Sequence, residues 1–279
     1  MSELVLSFLG TGSMNGSILR GVLAGGTPAE RVRATTKSAS SAQTLSEDTG
    51  VTVLSGEENA RANLEAVKDA DVVLLGVKPY AILDLAREIA PVLQPGTVVA
   101  SVAAGITLDA LEKALPQGQP VVRTMPNTPS SVGRGVISVT PGTHTTPDQL
   151  SVVKEVLSSV ATVVEVEEHL VRAVTGVSGS GPAYVFYLAE AMQRAGEELG
   201  LPSDVARVLA KETVAGAGVL LSPDDADPAA LRKAVTSPGG TTEKALNTFD
   251  ERGLKDVIAA GAAASAERGD EMEQEYCGR

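Results

Sequence analysis

The sequence predicts two parts: an α/β domain built on a parallel sheet covered on both faces over residues 1–166, and an all-helical domain over residues 167–279. Three observations carry this. An apolar strand (residues 4–9) runs straight into Gly10-Thr11-Gly12, and a helix-compatible run follows at once. Strand-like and helix-like runs then alternate as far as Val166, the pattern of a parallel sheet with helices on both faces. From Glu167 onward no clear strand signal returns, and alanine-rich helical runs succeed one another.

The first strand ends at the glycines. Gly10 permits a tight turn, and Gly12 lets a pyrophosphate approach the backbone. A helix opening around Ser13 and Met14 offers its free N–H groups and positive dipole end to that anion. The third position of the Gly-x-Gly-x-x-Gly pattern holds Asn15, so the match is partial, with Gly16 placed to supply the close packing instead. Read alone, the stretch is also compatible with a strand–turn–helix corner that binds nothing. The second strand is residues 31–36. In a dinucleotide-binding fold a carboxylate about 20 residues beyond the glycines binds the adenosine ribose and selects NAD. Here Glu30 precedes the strand, Glu47 and Asp48 lie well beyond it, and Thr36-Lys37-Ser38 stands at its end. Hydroxyls and an ammonium suit a 2′-phosphate, so the expected cofactor is NADP(H), with NAD(H) as a second choice.

Further strands are expected at 51–54, 71–77, 97–102 and 120–124, with helices 57–68, 81–93 and 107–115 between them. Strands 136–140 and 161–166 flank a helix at 147–159. Beyond Glu167, helices are expected at 183–199, 203–221, 228–234, 241–252 and 254–268, with residues 271–279 a frayed polar tail. The helix at 183–199 is apolar around most of its circumference at its start. Burial inside one large domain and burial against a second subunit both account for that.

Composition excludes some classes. The formal net charge of −12 argues against a nucleic-acid backbone as partner, and an anionic cofactor must rely on local groups such as Arg33 and Lys37. With no Trp and few other aromatics there is no stacking platform for single strands. No run of the sequence has the length and apolarity of a membrane span or the pattern of a secretory leader. Cys277 is the single cysteine, so no internal disulfide forms, and a cytoplasmic protein is expected. His144 and His169 sit in no catalytic or metal-binding constellation, and metal-ligand spacing is absent.

Four segments have the local composition of a site. Val77-Lys78-Pro79 ends the fourth strand, on the side where open parallel sheets bind ligands. Arg123-Thr124-Met125-Pro126-Asn127-Thr128-Pro129 ends another strand, with Asn127 and Thr128 offering polar atoms toward a nicotinamide. Ser237-Pro238-Gly239-Gly240-Thr241-Thr242 opens a helix and forms a nest of N–H groups suited to a carboxylate. Thr175-Gly-Val-Ser-Gly-Ser-Gly-Pro-Ala-Tyr184 opens the long helix.

Together these segments resemble pyrroline-5-carboxylate reductases, and the resemblance runs over essentially the whole chain. It implies an NAD(P)-binding Rossmann domain followed by a helical domain like the C-terminal domain of 6-phosphogluconate dehydrogenases. That second domain would pair two subunits into a homodimer, with larger rings such as decamers built from dimers. It further implies NAD(P)H-dependent reduction of 1-pyrroline-5-carboxylate to proline without a metal. Carried over by position, Gly10, Thr11, Gly12, Ser13 and Met14 would hold the pyrophosphate, and Thr36, Lys37 and Ser38 the adenosine phosphate. Asn63, Val77, Lys78, Pro79, Ala103, Ala104, Gly105 and Asn127 would line the cofactor cleft. Ser237, Gly239, Gly240 and Thr241 would hold the substrate carboxylate, and Thr242 would hydrogen-bond the ring nitrogen as the catalytic group. Asp225 stands where some members carry a glutamate.

A 3-hydroxyacid dehydrogenase of similar layout would need a base for the hydroxyl proton, carried as a lysine early on the long helix. No lysine follows Pro182 until Lys211. A reductase of another cyclic imine remains open. A nucleotide sensor without catalysis would keep Gly10 and Gly12 but has no use for the nest at 237–242.

Overall fold

The computed structural model describes residues 3–278. In chain order the elements of the first part are β1 (Leu6–Leu9), α1 (Ser13–Ala24), β2 (Val32–Thr36), α2 (Ala39–Thr49), β3 (Thr52–Ser55), α3 (Ala62–Ala66), β4 (Val72–Leu75), α4 (Ile82–Ile89), β5 (Val98–Ser101), α5 (Leu108–Ala114), β6 (Val121–Met125), β7 (Gly135–Pro141), α6 (Pro147–Ser158) and β8 (Ala161–Glu165). After α7 (Val171–Val174) come α8 (Gly181–Glu198), α9 (Ser203–Leu220), α10 (Pro228–Ala234), α11 (Thr241–Glu251) and α12 (Leu254–Cys277).

The eight strands form one sheet in the order β3-β2-β1-β4-β5-β6-β7-β8. Alternate residues of each central strand feed opposite faces, as a two-residue period requires. Leu6, Phe8, Val72 and Leu74 join one buried cluster with α1 and α6. Leu9, Val73 and Leu75 join another with α3, α4 and α5. The chain winds outward from β1 to β3, then returns to place β4 on the other side of β1. This reversal opens a crevice at the carboxyl ends of β1 and β4, where doubly wound sheets bind ligands.

The wholly parallel sheet expected from the sequence is corrected at one joint: β7 pairs antiparallel with β6. The reason is the connection. Residues 126–134 hold two prolines and a short helical turn, too little for the crossover a parallel neighbour needs. β8 is again parallel to β7, with α6 as its crossover. Two helices are shorter than the spacing predicts. α3 starts only at Ala62, because Asn59 Oδ1 takes the Arg61 N–H in a turn. α4 stops at Ile89 and tightens into a short turn containing Pro91, which has no N–H to continue the ladder.

The chain divides into two compact units: one runs to Gly179 and resumes at Ser265, and the other is Ser180–Ala264. By packing, the end of α12 and the residues just beyond the expected boundary at Glu167 thus group with the sheet. Residues 168–179 remain with the sheet, because Glu168 accepts from Leu108 N and Arg123, and Ser178 O accepts from Asn127. The frayed tail is also corrected. α12 continues to Cys277, and Tyr276 and Cys277 pack on the cluster around Ile106 and Leu108.

The helical unit taken by itself buries little. In α8 and α9 only Ala206 and Ala210 are buried, where Gly196 lets the two helices approach closely. Val185, Phe186, Tyr187 and Leu188 at the start of α8 are exposed, Phe186 by 67% and Tyr187 by 73%. Burial of that apolar run within the chain, one of the two expectations, does not occur. Among the described residues no helix is long and apolar enough to cross a membrane.

Candidate active site

At the end of β1, Gly10 adopts φ +69, and a Cβ there would fall 2.3 Å from Val77 Cγ1. Only glycine serves both demands. Thr35 suspends this turn from β2: its hydroxyl accepts from Gly10 N at 3.1 Å and its carbonyl from Thr11 N at 2.7 Å. Gly12 caps α1 without any side-chain bond, and a Cβ on it would meet nothing within 4 Å. The first-turn N–H groups of α1, which a helix leaves without internal partners, thus face an open cradle that fits a diphosphate.

Asn15 is the answer to the missing third glycine. It is buried, and its Nδ2 donates to Leu9 O and Leu74 O, both at 3.1 Å, stapling β1 to β4. Gly76 provides the room, since a Cβ there would lie 2.3 Å from Asn15 Nδ2. The close packing expected of Gly16 is not found: its Cβ position meets only the flexible end of Arg20 and Thr11.

At the end of β2, Thr36 donates to Ser38 O, and Ser38 caps α2 by accepting from Ser41 N. The Ser38, Ser40 and Ser41 hydroxyls cluster there, with Lys37 exposed alongside. The fold adds a residue that linear reading missed. Glu57, from the loop after β3, accepts from Ala39 N at 3.0 Å, so a carboxylate does stand at this helix start. Arg33 does not point this way; its guanidinium donates to Lys68 O.

Asn63 lies next to the same turn. Its Oδ1 accepts from the Thr35 hydroxyl at 2.9 Å, and its Nδ2 donates to both oxygens of Glu88. A continuous chain of bonds therefore runs from Gly10 N through Thr35 and Asn63 to Glu88. Lys78 is exposed after β4, its carbonyl held by Ala81 N. Ala103 and Gly105 are buried at the end of β5, and Ala104 is half-buried. Asn127 is committed elsewhere: Nδ2 donates to Ser178 O and Oδ1 accepts from Val136 N, so both ends of its amide are used in holding the loop after β6.

In the helical unit, Gly239 takes φ +71 and Gly240 caps α11, again with no side-chain bond. Two N–H groups of this nest are already engaged, Gly239 N by Glu243 Oε2 at 2.8 Å and Gly240 N by Ser237 O at 3.0 Å. The N–H groups of Thr241, Thr242 and Glu243, the first turn of the helix, are the ones oriented to receive an anion. Asp225 is exposed in the loop before α10. Asp227, at the end of that loop, caps α10 by accepting from Ala229 N and Ala230 N. No group of three His, Cys, Asp or Glu capable of holding a metal occurs among the described residues.

Comparison with known proteins matches the two parts of the chain separately. Residues 168–272 match the family model for pyrroline-5-carboxylate reductase dimerisation, and residues 5–105 match that for coenzyme F420-dependent NADP oxidoreductases. A pyrroline-5-carboxylate reductase of Pseudomonas aeruginosa is 37% identical over 276 residues, covering 99% of both chains. This chain belongs to the pyrroline-5-carboxylate reductase family. A family member from Corynebacterium melassecola is also 37% identical, over 96% of this chain and 98% of its own. The solved pyrroline-5-carboxylate reductase of Coxiella burnetii superposes with a TM-score of 0.90 at 33% identity, covering 96% of this chain and 98% of that one. The pyrroline carboxylate reductase of Plasmodium falciparum, solved with NADP bound, shares the fold with a TM-score of 0.82 at 24% identity.

The segments that local composition singled out lie at strand ends and helix starts of this chain. Thr35, Glu57 and Glu88 escaped it because each lies in an ordinary polar context: the pairing of β1 with β2 brings Thr35 to the glycine turn, the loop after β3 carries Glu57 to the start of α2, and Glu88 on α4 reaches the turn only through Asn63.

Proposed function

We propose that this chain reduces the C=N bond of 1-pyrroline-5-carboxylate to give proline, using NADPH in preference to NADH. The observation that supports it most is the coexistence of two uncapped helix starts, at Gly12 and at Gly240, each offering first-turn N–H groups to an anion. The first suits a dinucleotide diphosphate and the second a small carboxylate. Bound NADPH supplies hydride to the ring carbon. Gly10, Thr11, Gly12, Ser13 and Met14 hold its diphosphate. Thr36, Lys37 and Ser38 would receive the 2′-phosphate, near the start of α2 where Glu57 accepts from Ala39 N. Asn63, Val77, Lys78, Pro79 and the Ala103–Gly105 segment line the rest of the cleft.

On the substrate side the carboxylate rests on the N–H groups of Thr241, Thr242 and Glu243, with Ser237, Gly239 and Gly240 shaping the turn. The Thr242 hydroxyl hydrogen-bonds the ring nitrogen. The ring nitrogen takes a proton from solvent to form the iminium, hydride addition at the ring carbon turns that C=N⁺ bond into a neutral amine, and the Thr242 hydroxyl would hydrogen-bond the nitrogen as its charge falls, so no histidine acid is required. The exposed apolar start of α8 is the face of a homodimer formed through the helical domain, and larger rings would be assembled from such dimers. The cytoplasm is the compartment that a single unpaired cysteine fits.

The test is the loss of nicotinamide absorbance on adding pyrroline-5-carboxylate, with NADPH and NADH in parallel and proline as the measured product. Oxidation with proline formation is the expected result. A folded protein that binds NADPH but oxidises none of it would redirect the assignment to another cyclic imine.

A further inference from the structure

We propose that the C-terminal turns of α12 are a positioning strap for the Ala103–Gly105 segment, latched onto the sheet by Arg123. The inference rests on the assignment of that segment to the cofactor cleft. Arg123 lies on β6 with its side chain only 5% exposed, between two carboxylates far away in sequence. Its Nη1 donates to Glu168 Oε1 at 2.9 Å, and its Nη2 to Glu273 Oε1 on α12. The same Glu168 oxygen accepts from Leu108 N at 2.7 Å, at the first residue of α5. A buried guanidinium held by two carboxylates fixes the parts that carry them.

The strap grips the turn that joins β5 to α5. Thr107 N donates to Cys277 Sγ and the Cys277 thiol donates to Gly105 O, each at 3.5 Å. Gly105 has φ +76, and a Cβ on it would fall 3.0 Å from Met272 Cβ and 3.3 Å from Tyr276 Cδ2. The helix therefore lies directly on the glycine. Ala103, Ala104 and Gly105 have almost no side chain with which to define their own path, and glycine is the least restrained residue. On the sheet side Val102 N is held by Leu75 O. Arg123, Glu168, Met272, Glu273, Tyr276 and Cys277 supply the constraint from the other side.

The experiment uses the full chain carrying Glu273→Ala or Glu273→Gln. It reads KM and kcat for NADPH, together with hydrogen exchange of residues 103–108 with and without NADPH. Glu273→Ala is expected to raise KM for NADPH about fivefold to tenfold, the effect of losing one charge-assisted bond, with kcat nearly unchanged. Exchange at 103–108 should quicken. Glu273→Gln keeps an acceptor for Arg123 and should show a smaller rise. It also serves if the alanine variant folds poorly. A lowered melting temperature with unchanged KM and unchanged exchange makes the contact a stabilising one only and overturns the inference. Should NADPH fail to slow exchange at 103–108 in the parent protein, the cleft assignment itself fails and the inference falls with it, and the parent alone reveals this.

Discussion

Replacing Gly76 by alanine tests the staple between β1 and β4. The added Cβ would lie 2.3 Å from Asn15 Nδ2, 2.4 Å from its Cγ and 2.9 Å from its Oδ1. Asn15 is buried, so its amide cannot give way into solvent. Overpacking of this kind costs about 1–3 kcal/mol. If the amide is driven out, the bonds to Leu9 O and Leu74 O go with it, at about 1 kcal/mol each. Gly76→Ala should therefore cost roughly 3 kcal/mol and lower the melting midpoint by about 6–12 °C. Asn15→Ala loses the same two bonds but also removes Oδ1, a buried oxygen with no partner. Its net cost should be smaller, about 1 kcal/mol. In the Asn15→Ala background the Cβ at 76 has space, so the double variant should be less damaged than the sum of the two by about 2 kcal/mol. Urea unfolding of the four proteins, followed by circular dichroism, measures this coupling. Additivity of the two costs within about 0.5 kcal/mol would refute the reasoning.

Thr242→Ala should lower kcat for pyrroline-5-carboxylate about 100-fold by removing the hydroxyl at the ring nitrogen, and undiminished turnover would remove that role. Glu57→Gln should raise the NADPH-to-NADH ratio of kcat/KM about threefold to tenfold, since it clears a competing carboxylate from Ala39 N. Ser38→Asp should lower the same ratio by a similar factor by placing a new carboxylate beside the 2′-phosphate, and parallel steady-state assays with both cofactors check the pair. Thr35→Val keeps the shape of the side chain but leaves Gly10 N without its partner. It should destabilise the fold by about 1–3 kcal/mol in urea unfolding and weaken NADPH binding in a fluorescence titration.

Legibility in the sequence followed the range of the interactions. The strand running into Gly10 and Gly12, the helices expected from 107 and from 147, and the Gly239-Gly240 entry to α11 are set by residues within a few positions of one another, whereas α2 (Ala39–Thr49) was not among the expected helices. The third-glycine question was not answerable in that way. Asn15 is acceptable only because Gly76, across the strand pair β1–β4, leaves room for it. The antiparallel turn of β7 depends on the length of the link after β6, which is visible in sequence but was outweighed by the strong parallel pattern before it. The polar residues 271–279 suggested a frayed end, because their hydrophilic composition gives no hint that Glu273 finds a buried arginine.

Local chemistry in the sequence by itself determined the α/β part ahead of the helical part and the two helix starts that offer N–H groups to anions, while the family came from the resemblance of four motifs. It did so because turns, caps and periodicity act between neighbours along the chain. Tertiary structure alone decided which carboxylates face those starts, that Asn127 is spent on holding its loop, and that α12 returns to close over Gly105. Those outcomes depend on which strands lie side by side and on buried partners drawn from distant parts of the chain, as with Arg123 and Glu273, 150 residues apart.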